Sequence, residues 1–399
     1  MHTADACTKA LSKYLKTYQD PRCSSHISTL LTKTYDRVLV IPYFNEDTSV
    51  LSHLKSLAHA GHSSLLIAVI NAPKTATTRE INQNHALYKA FCKQAQQFEQ
   101  YSKHISILTS LFANIDAIII QAQEIDPKKG VGQARKIGSD MALMLYQNQC
   151  ITNPWIYQSD GDVIFPENYF DQSAFVANSS CQLCAFTHQL PDDQKLQQAI
   201  IHYEKYLHDY YLGLKSAQSP YAYISLGSCM IIHNSALAKV RGFTQRAAGE
   251  DFHTLNKLAK IAPVTHVSNI KIQILTRLSK RVPFGTGPAL KTLINTPQTS
   301  RYALFSHLSY TMLKAAQYLI KQAGEKETST LEELLDTCIE KFPGIKTDVF
   351  YPLVEQSELG KIIRYHLAHQ HPKRESQIQQ AFDALKTLQF LKLAEQLHS

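Results

Sequence analysis

The pattern of apolar and polar residues over the first 165 positions predicts strands that alternate with helices. Short apolar runs that are rich in β-branched residues and stop at a polar turn are typical of strands. Longer segments with an apolar face, a capping residue before them and a glycine after them are typical of helices. The predicted strands are residues 37–44, 63–73, 116–120 and 154–160, and the predicted helices are 48–61, 77–104 and 130–147. Such alternation predicts an α/β fold with a doubly wound, mostly parallel sheet flanked by helices.

The pattern changes after residue 166 and again near residue 300. Two further strands are predicted at 181–187 and 227–233, with a tyrosine-rich helix over 192–215 between them. Only helical patterns follow from residue 300 to the end. A run of amphipathic helices without strands is typical of a separate helical domain.

These changes divide the chain into three predicted parts. We expect a helical lead-in at 1–34, an α/β domain at 35–290 and an all-helical C-terminal domain at 300–399. Within the α/β domain, the regular alternation separates a first half at 35–165 from a second half at 166–290.

The composition predicts a globular cytoplasmic protein. Hydrophobic residues make up 44% of the 399 positions and charged residues 19%, as in ordinary globular proteins. No apolar run approaches the roughly 20 residues that a transmembrane helix needs, and the N-terminus lacks the apolar core of a signal peptide. We therefore expect no transmembrane segment.

Eight cysteines are scattered along the chain and predict reduced thiols, not a disulfide framework. Cys181 and Cys184, followed by His188, have the spacing of half a zinc site. No second ligand pair lies at a suitable distance, so we expect these residues to belong to a buried strand.

The net charge of +8 comes from basic residues spread along the sequence. A nucleic-acid-binding protein would show a basic stripe with interleaved aromatic residues. The surplus instead fits a basic cleft for a phosphorylated small molecule, and we expect no nucleic-acid partner.

The stretch "SDGDV" places Asp160 and Asp162 around a glycine at the end of a predicted strand. An Asp-Gly pair can form a hairpin turn, but Pro166 interrupts the apolar run that would be the second strand. Two carboxylates on one turn can also bind one Mg²⁺ or Mn²⁺, ions that take oxygen ligands and share them with phosphates. The metal site is the favoured interpretation.

Two other stretches could contact a nucleotide. Asn45 and Glu46 lie in the polar turn of "IPYFNED". In "GVGQARKIG", Gly130 and Gly132 open a helix whose N–H groups could face an anion, and Arg135 could reach a diphosphate. The spacing is not that of a P-loop, and a simple glycine-dependent helix start is an equal alternative.

The second half of the α/β domain contributes a further acidic pair and a basic loop. Glu250 and Asp251 begin a predicted helix, where they could act as caps or supply a general base. His253 could be a third metal ligand or a surface histidine. Arg277 and Arg281 lie in "RLSKRVPFGTG", which is either a loop that closes on a diphosphate or a linker.

Together these stretches resemble the family 2 glycosyltransferases with the GT-A fold, over about residues 36–285. The resemblance rests on four matches: Pro42, Asn45 and Glu46 in a Pro-x-x-Asn-Glu turn; Gly130 or Gly132 with Ala134 and Arg135 in a Gly-x-x-x-Ala-Arg helix; Asp160 and Asp162 in a D-x-D metal motif; and Gly242, Phe243, Glu250 and Asp251 in a Gly-Gly-Phe…Glu-Asp segment. Arg241 replaces the first glycine of that segment. The resemblance implies that residues 35–165 bind the nucleotide sugar and residues 166–290 the acceptor.

The resemblance also implies roles for individual residues. In inverting members the aspartate of the Glu-Asp pair is the base, which would be Asp251 here. The second strand of the family ends in an acidic residue that contacts the base or ribose, and Asn71 stands at that position. The identity of the nucleotide base is therefore left open. The absence of a Gln-x-x-Arg-Trp motif argues against a processive polysaccharide synthase.

The sequence thus predicts a soluble enzyme that uses Mg²⁺ or Mn²⁺ to transfer a sugar from a nucleotide-diphosphate sugar to a hydroxyl of a small-molecule or glycan acceptor. A nucleotide-sugar-binding or scaffold protein without catalytic activity is the alternative. A sugar-phosphate nucleotidyltransferase fits less well, because the turn after the first strand has no glycine. The oligomeric state is left open.

Overall fold

The structure is a computed structural model. It describes residues 2–278, 285–296, 302–325, 329–369 and 371–398, with side chains from residue 8 onward. The chain forms two compact units, of which the first comprises Met1–Ile200 and Ser225–Ile294 and the second Ile201–Ile224 and Asn295–Ser399.

A single mixed sheet, with ten strands in the described residues, forms the centre of the first unit. The strands are β1 (Arg37–Tyr43), β2 (Ser64–Pro73), β3 (Gln97–Ser102), β4 (Ile105–Phe112), β5 (Ile115–Ile125), β6 (Trp155–Gln158), β7 (Val163–Ile164), β8 (Cys181–His188), β9 (Met230–His233) and β10 (Val264–Ile274). Their order across the sheet is β3-β4-β5-β2-β1-β6-β9-β8-β10-β7.

The central strands β5, β2, β1 and β6 are parallel, as the sequence predicted. Antiparallel pairs extend the sheet on both sides. Val40, Ile67 and Ile118 are fully buried, because helices cover both faces of a parallel sheet. The carboxyl ends of parallel strands share one edge, where α/β proteins place their ligands.

Among the described residues, eight α-helices begin in the first unit, and most of the fifth belongs to the second unit. They are α1 (His2–Tyr18), α2 (Val50–His53), α3 (Thr78–Gln94), α4 (Gly130–Gln147), α5 (Gln194–Ser216), α6 (Asn234–Lys239), α7 (Glu250–Ala259) and α8 (Thr286–Asn295). Short 3₁₀ helices occupy Ser25–Leu30, Lys55–Ala60 and Gly227–Cys229. A Cβ atom on Gly138 would lie 2.4 Å from Val40 Cγ1, so this glycine lets α4 pack closely on β1.

One local prediction was wrong, and one alternative that the sequence left open does not occur. The helix predicted over 77–104 ends at Gln94, because Ala95 is extended and the following polar segment forms β3, paired antiparallel with β4. The "SDGDV" turn is not a hairpin between adjacent strands, because β6 pairs with β1 and β9 whereas β7 pairs with β10. The predicted buried strand at Cys181 and Cys184 is confirmed, and the cysteines that the structure describes are free.

The second unit is helical, as predicted for the C-terminal part. Its helices are α9 (His307–Glu325), α10 (Leu331–Lys341), α11 (Thr347–Gln356), α12 (Leu359–Ala368), α13 (Arg374–Ala381) and α14 (Ala384–His398). Their apolar faces form one core with Leu214, at the end of α5, and Ala217, which follows that helix. The second unit therefore also includes residues 201–224, which the sequence analysis placed in the second half of the α/β domain.

Within the described residues, the structure contains no helix long and apolar enough to span a membrane.

Candidate active site

The acidic turn of Asp160 and Asp162 follows β6 at the carboxyl edge of the parallel strands. Between them, a Cβ atom on Gly161 would lie 2.9 Å from Tyr43 Cδ1 and 3.3 Å from Glu46 Cγ. Only a glycine lets the turn approach the end of β1 this closely. The local sequence therefore places both aspartates beside the Asn45–Glu46 turn.

Arg135 connects the two acidic segments of the site. Its Nη2 donates to Asp160 Oδ1 at 2.6 Å, its Nη1 to the Ser159 carbonyl at 3.1 Å, and its Nε to Glu250 Oε1 at 3.2 Å. The guanidinium lies 5.8 Å from the centre of the Phe243 ring, and the residue is 2% exposed. The prediction that Arg135 reaches a diphosphate therefore needs correction, because this side chain is an internal link between protein groups.

Arg277 makes a second link at the same edge. Its Nη1 and Nη2 donate to the two carboxylate oxygens of Glu46 at 2.6 and 2.8 Å, and Nη2 also lies 2.8 Å from Asp162 Oδ2. Partial burial would lower the pKa of Arg277, but the hydrogen bonds to Glu46 and the charge of Asp162 raise it further than burial lowers it. The guanidinium therefore stays charged between two carboxylates.

Glu250 and Asp251 open α7 after Gly249, whose φ of 68° is in the left-handed region that favours glycine. Burial raises the pKa of Glu250 to about 8, the charge of Asp251 adds to the shift, and Arg135 opposes it. Burial also raises the pKa of Asp251, against the hydrogen bond that its Oδ1 accepts from the Phe252 N–H at 2.7 Å. The raised pKa makes Asp251 a stronger base than an ordinary aspartate, and its partial exposure leaves it accessible.

Two residues in the second turn of α3 hold the ends of β1 and β2 together. Asn84 Oδ1 accepts from the backbone N–H of Asn45, which has a φ of 53°, and Asn84 Nδ2 donates to the Asn71 carbonyl, both at 2.8 Å. Gln83 Nε2 donates to the Glu46 carbonyl at 3.0 Å. Asn71 Oδ1 is buried and has no hydrogen-bond partner among the described residues. A buried acceptor without a partner is a candidate contact for a ligand.

The glycines at the start of α4 pack against the loop before α7. The Gly132 N–H donates to the Arg246 carbonyl at 3.1 Å, and a Cβ atom there would lie 2.4 Å from the Thr244 carbonyl oxygen. A Cβ atom on Gly130 would lie 2.6 Å from Ala247 Cα. The Gly132 N–H therefore donates to a protein carbonyl and does not face an anion. The two glycines are needed for close packing at the helix start, as in the alternative interpretation of this stretch.

Among the described residues, no group of three or more His, Cys, Asp and Glu side chains is arranged to hold a metal ion. The predicted three-ligand set therefore does not form, and the His253 ring instead packs edge-on against Phe252, with 5.5 Å between ring centres. Asp160 and Asp162 remain as a pair of carboxylates on one turn. They fit Mg²⁺ or Mn²⁺, which readily takes its other oxygen ligands from water and phosphate.

Two further residues were predicted to belong to the site. Pro42 is buried inside β1, paired with Val69 of β2. Arg281 lies outside the described residues. Gln83, Asn84 and Gly161 were not predicted to shape the site. The sequence around a polar helical residue or a glycine does not indicate which distant atoms it will contact.

No protein-family model and no curated protein matches the sequence. Among solved structures, the chain is similar to S. aureus TarS 1–349 in complex with UDP-GlcNAc, with a TM-score of 0.39 and 11% identity, covering 87% of this chain and 91% of that one. It is also similar to GalNAc-T7 with UDP, GalNAc and Mn²⁺, with a TM-score of 0.34 and 11% identity, covering 77% and 55%. These similarities are too distant to assign a function, which has to come from the site.

Proposed function

We propose that the chain is a metal-dependent glycosyltransferase that moves a sugar from a nucleotide-diphosphate sugar to an acceptor hydroxyl. The observation that carries this proposal is Arg135, which hydrogen-bonds Asp160 and Glu250 at once. The D-x-D turn and the Glu-Asp helix start, about 90 residues apart in sequence, thereby meet at the carboxyl edge of the sheet. Donor binding and proton removal need to occur side by side in such a reaction.

The donor half of the site comprises the D-x-D turn and the end of β2. Asp160 and Asp162 would hold Mg²⁺ or Mn²⁺, which when bound neutralises charge on the diphosphate leaving group. The buried Asn71 Oδ1 would accept a hydrogen bond from an N–H of the base or from a ribose hydroxyl. This bond would give the oxygen the partner that it lacks within the protein. The exposed Asn45 borders the same turn.

The acceptor half is the start of α7. Asp251 would take the proton of the acceptor hydroxyl as its oxygen forms a bond to the anomeric carbon. The bond from that carbon to the diphosphate breaks, and its electron pair leaves with the diphosphate. Attack from the face opposite the leaving group inverts the configuration. Glu250 would position Arg135 and, through it, Asp160.

Thermal unfolding with a panel of nucleotide-diphosphate sugars tests the donor assignment. A ligand that binds only the folded state raises the melting temperature by mass action. We expect one donor to raise it with Mn²⁺ but not with a chelator, and Asp162→Asn to abolish the shift. Asp36→Asn, which removes a charge at the amino end of β1, is the matched control. A full shift in Asp162→Asn, or no shift with any donor, would contradict the proposal.

A further inference from the structure

The Arg277 side chain is shared unequally between two carboxylates. Glu46 holds both of its terminal nitrogens, whereas Asp162 contacts one of them. The Glu46 side chain is 6% exposed and that of Arg277 36%. The Glu46 end of this arrangement is therefore fixed in the protein interior, and the Arg277–Asp162 contact lies closer to solvent.

The Glu46 end is also fixed through its backbone. Gln83 donates to the Glu46 carbonyl, and Asn84 holds the N–H of the preceding Asn45. A buried carboxylate held at both backbone and side chain orders the guanidinium that it binds. Asp162, in contrast, belongs to the turn for which a metal ion is proposed.

We propose that Arg277 is an internal counter-ion of Asp162 that a divalent cation has to displace, and that Glu46 retains the displaced guanidinium beside the acidic turn. The inference rests on the proposed function, in which Asp162 binds the metal. A metal ion on Asp162 would lie next to the Arg277 charge, and like charges at such short distances repel strongly. The affinity of the site for a metal ion in the absence of a diphosphate is thereby lowered.

The retained guanidinium has a consequence for the order of binding. A diphosphate carries enough negative charge to neutralise both the metal ion and Arg277, so it relieves the repulsion between them. The site then binds the metal and the diphosphate together much better than the metal alone. Arg277 acts as a binding residue for the diphosphate, and Glu46 acts through Arg277 as a positioning residue.

Titration of Mn²⁺ in the absence of nucleotide, followed by the electron paramagnetic resonance of the free ion, tests this inference. Arg277→Gln should bind Mn²⁺ at least about tenfold more tightly than the wild type. A neighbouring cation weakens proton binding to a carboxylate by about tenfold or more, and we expect it to weaken metal binding by at least the lower of these amounts. Arg37→Gln removes the same charge at the amino end of β1 and should change the affinity little.

A second comparison guards against misfolding of Arg277→Gln, which leaves the buried Glu46 carboxylate without its cation. In Glu46→Gln/Arg277→Gln the two neutral amides can still hydrogen-bond. This variant should bind Mn²⁺ about tenfold more tightly than Glu46→Gln alone. The effect on inorganic pyrophosphate should be the opposite. At saturating Mn²⁺, both Arg277→Gln and the double variant should bind pyrophosphate more weakly than the wild type.

The outcomes separate this inference from the proposed function. If the wild type binds Mn²⁺ and Asp162→Asn does not, but removal of Arg277 leaves the affinity unchanged or weaker, the counter-ion role is wrong and the metal site stands. If neither the wild type nor the Arg277 variants bind Mn²⁺, the proposed metal dependence fails and the counter-ion role fails with it.

Discussion

Glu250 and Asp251 are neighbours in sequence, yet their environments differ. Glu250 is 6% exposed, and burial raises its pKa to about 8, which favours the protonated form near neutral pH. The charge of Arg135 is then balanced mainly by Asp160, at 2.6 Å. Asp251 is more exposed and accepts a backbone hydrogen bond. Of the two acids at the start of α7, Asp251 is therefore the one suited to act as a base.

The protonation of Glu250 predicts a pH-dependent stability. A carboxyl group whose pKa is raised on folding stabilises the protein fully below its unfolded pKa of about 4.3, and this contribution is lost as the pH rises through about 8. Glu250→Gln keeps the shape of the protonated side chain and cannot ionise. We expect the free energy of unfolding to fall less between pH 5 and about 9 in this variant than in the wild type, measured by urea denaturation.

The exposed Glu167 provides the control, because Glu167→Gln makes the same chemical change at the surface. This control should retain the pH dependence of the wild type. An unchanged pH dependence in Glu250→Gln would mean that Glu250 is ionised throughout, with Arg135 as its full counter-ion.

At the scale of elements, α3 shapes the end of the candidate site at which we propose donor binding. Its capping box fixes the first turn, since Thr77 Oγ1 accepts from the Glu80 N–H and Glu80 Oε2 accepts from the Thr77 N–H. Asn84 and Gln83 lie one and a half turns further on and bind the ends of β1 and β2. The helix start therefore sets where Glu46 and Asn71 lie.

Asn84→Ala should loosen this arrangement. It leaves the Asn45 N–H and the Asn71 carbonyl without their partners, and an unpaired buried polar group costs about 1–3 kcal/mol. We expect a loss of stability of about that size and weaker donor binding, measured by urea denaturation and by calorimetric titration of the donor. Asn82→Ala, an exposed position on the same helix, should change neither. Donor affinity equal to the wild type in a folded Asn84→Ala would show that the β1 turn does not take part in binding.

The elements that the sequence predicted well are those with an unbroken periodic pattern. The strands β1, β2 and β6 and the helix α4 were predicted to within a few residues, because apolar runs and amphipathic faces report burial directly. The segment 97–102 was not, because its polar residues carry no strand pattern and its conformation depends on pairing with β4. An exposed edge strand of this kind is determined by its neighbour.

At the scale of the whole first unit, the sequence indicated which segments belong to the candidate site but not how they are joined. Asp160 and Asp162 could be placed at the carboxyl edge because they follow a predicted strand, whereas only the resemblance to the GT-A fold grouped Glu250 and Asp251 with them. Arg277 and Glu46 are 231 positions apart in the sequence, and no local pattern around either residue predicts their contact. The burial of Arg135 was likewise unpredictable, because it depends on contacts with Ser159, after β6, and with Glu250 in α7.

The N-terminal helix also belongs to the framework of the first unit, although the sequence indicated only a lead-in. Lys136, next to Arg135 on α4, donates to Tyr14 Oη at 2.8 Å, to the Tyr18 carbonyl at 2.7 Å and to Asp140 Oδ2 at 2.5 Å. A buried charge with its hydrogen bonds satisfied holds its elements in one arrangement. The helix that carries Arg135 is therefore fixed on one side by α1 and on the other by the sheet.

The most direct test of the central claim is the release of nucleoside diphosphate from the donor that stabilises the wild type, with Mn²⁺ present. Water can replace an unidentified acceptor slowly, and Asp251 would take its proton in the same way. We predict release that stops with a chelator and falls by about 10²–10⁴-fold in Asp251→Asn, which still binds the donor. Donor binding without release, or equal release in Asp251→Asn, would contradict a glycosyltransferase that uses Asp251 as its base.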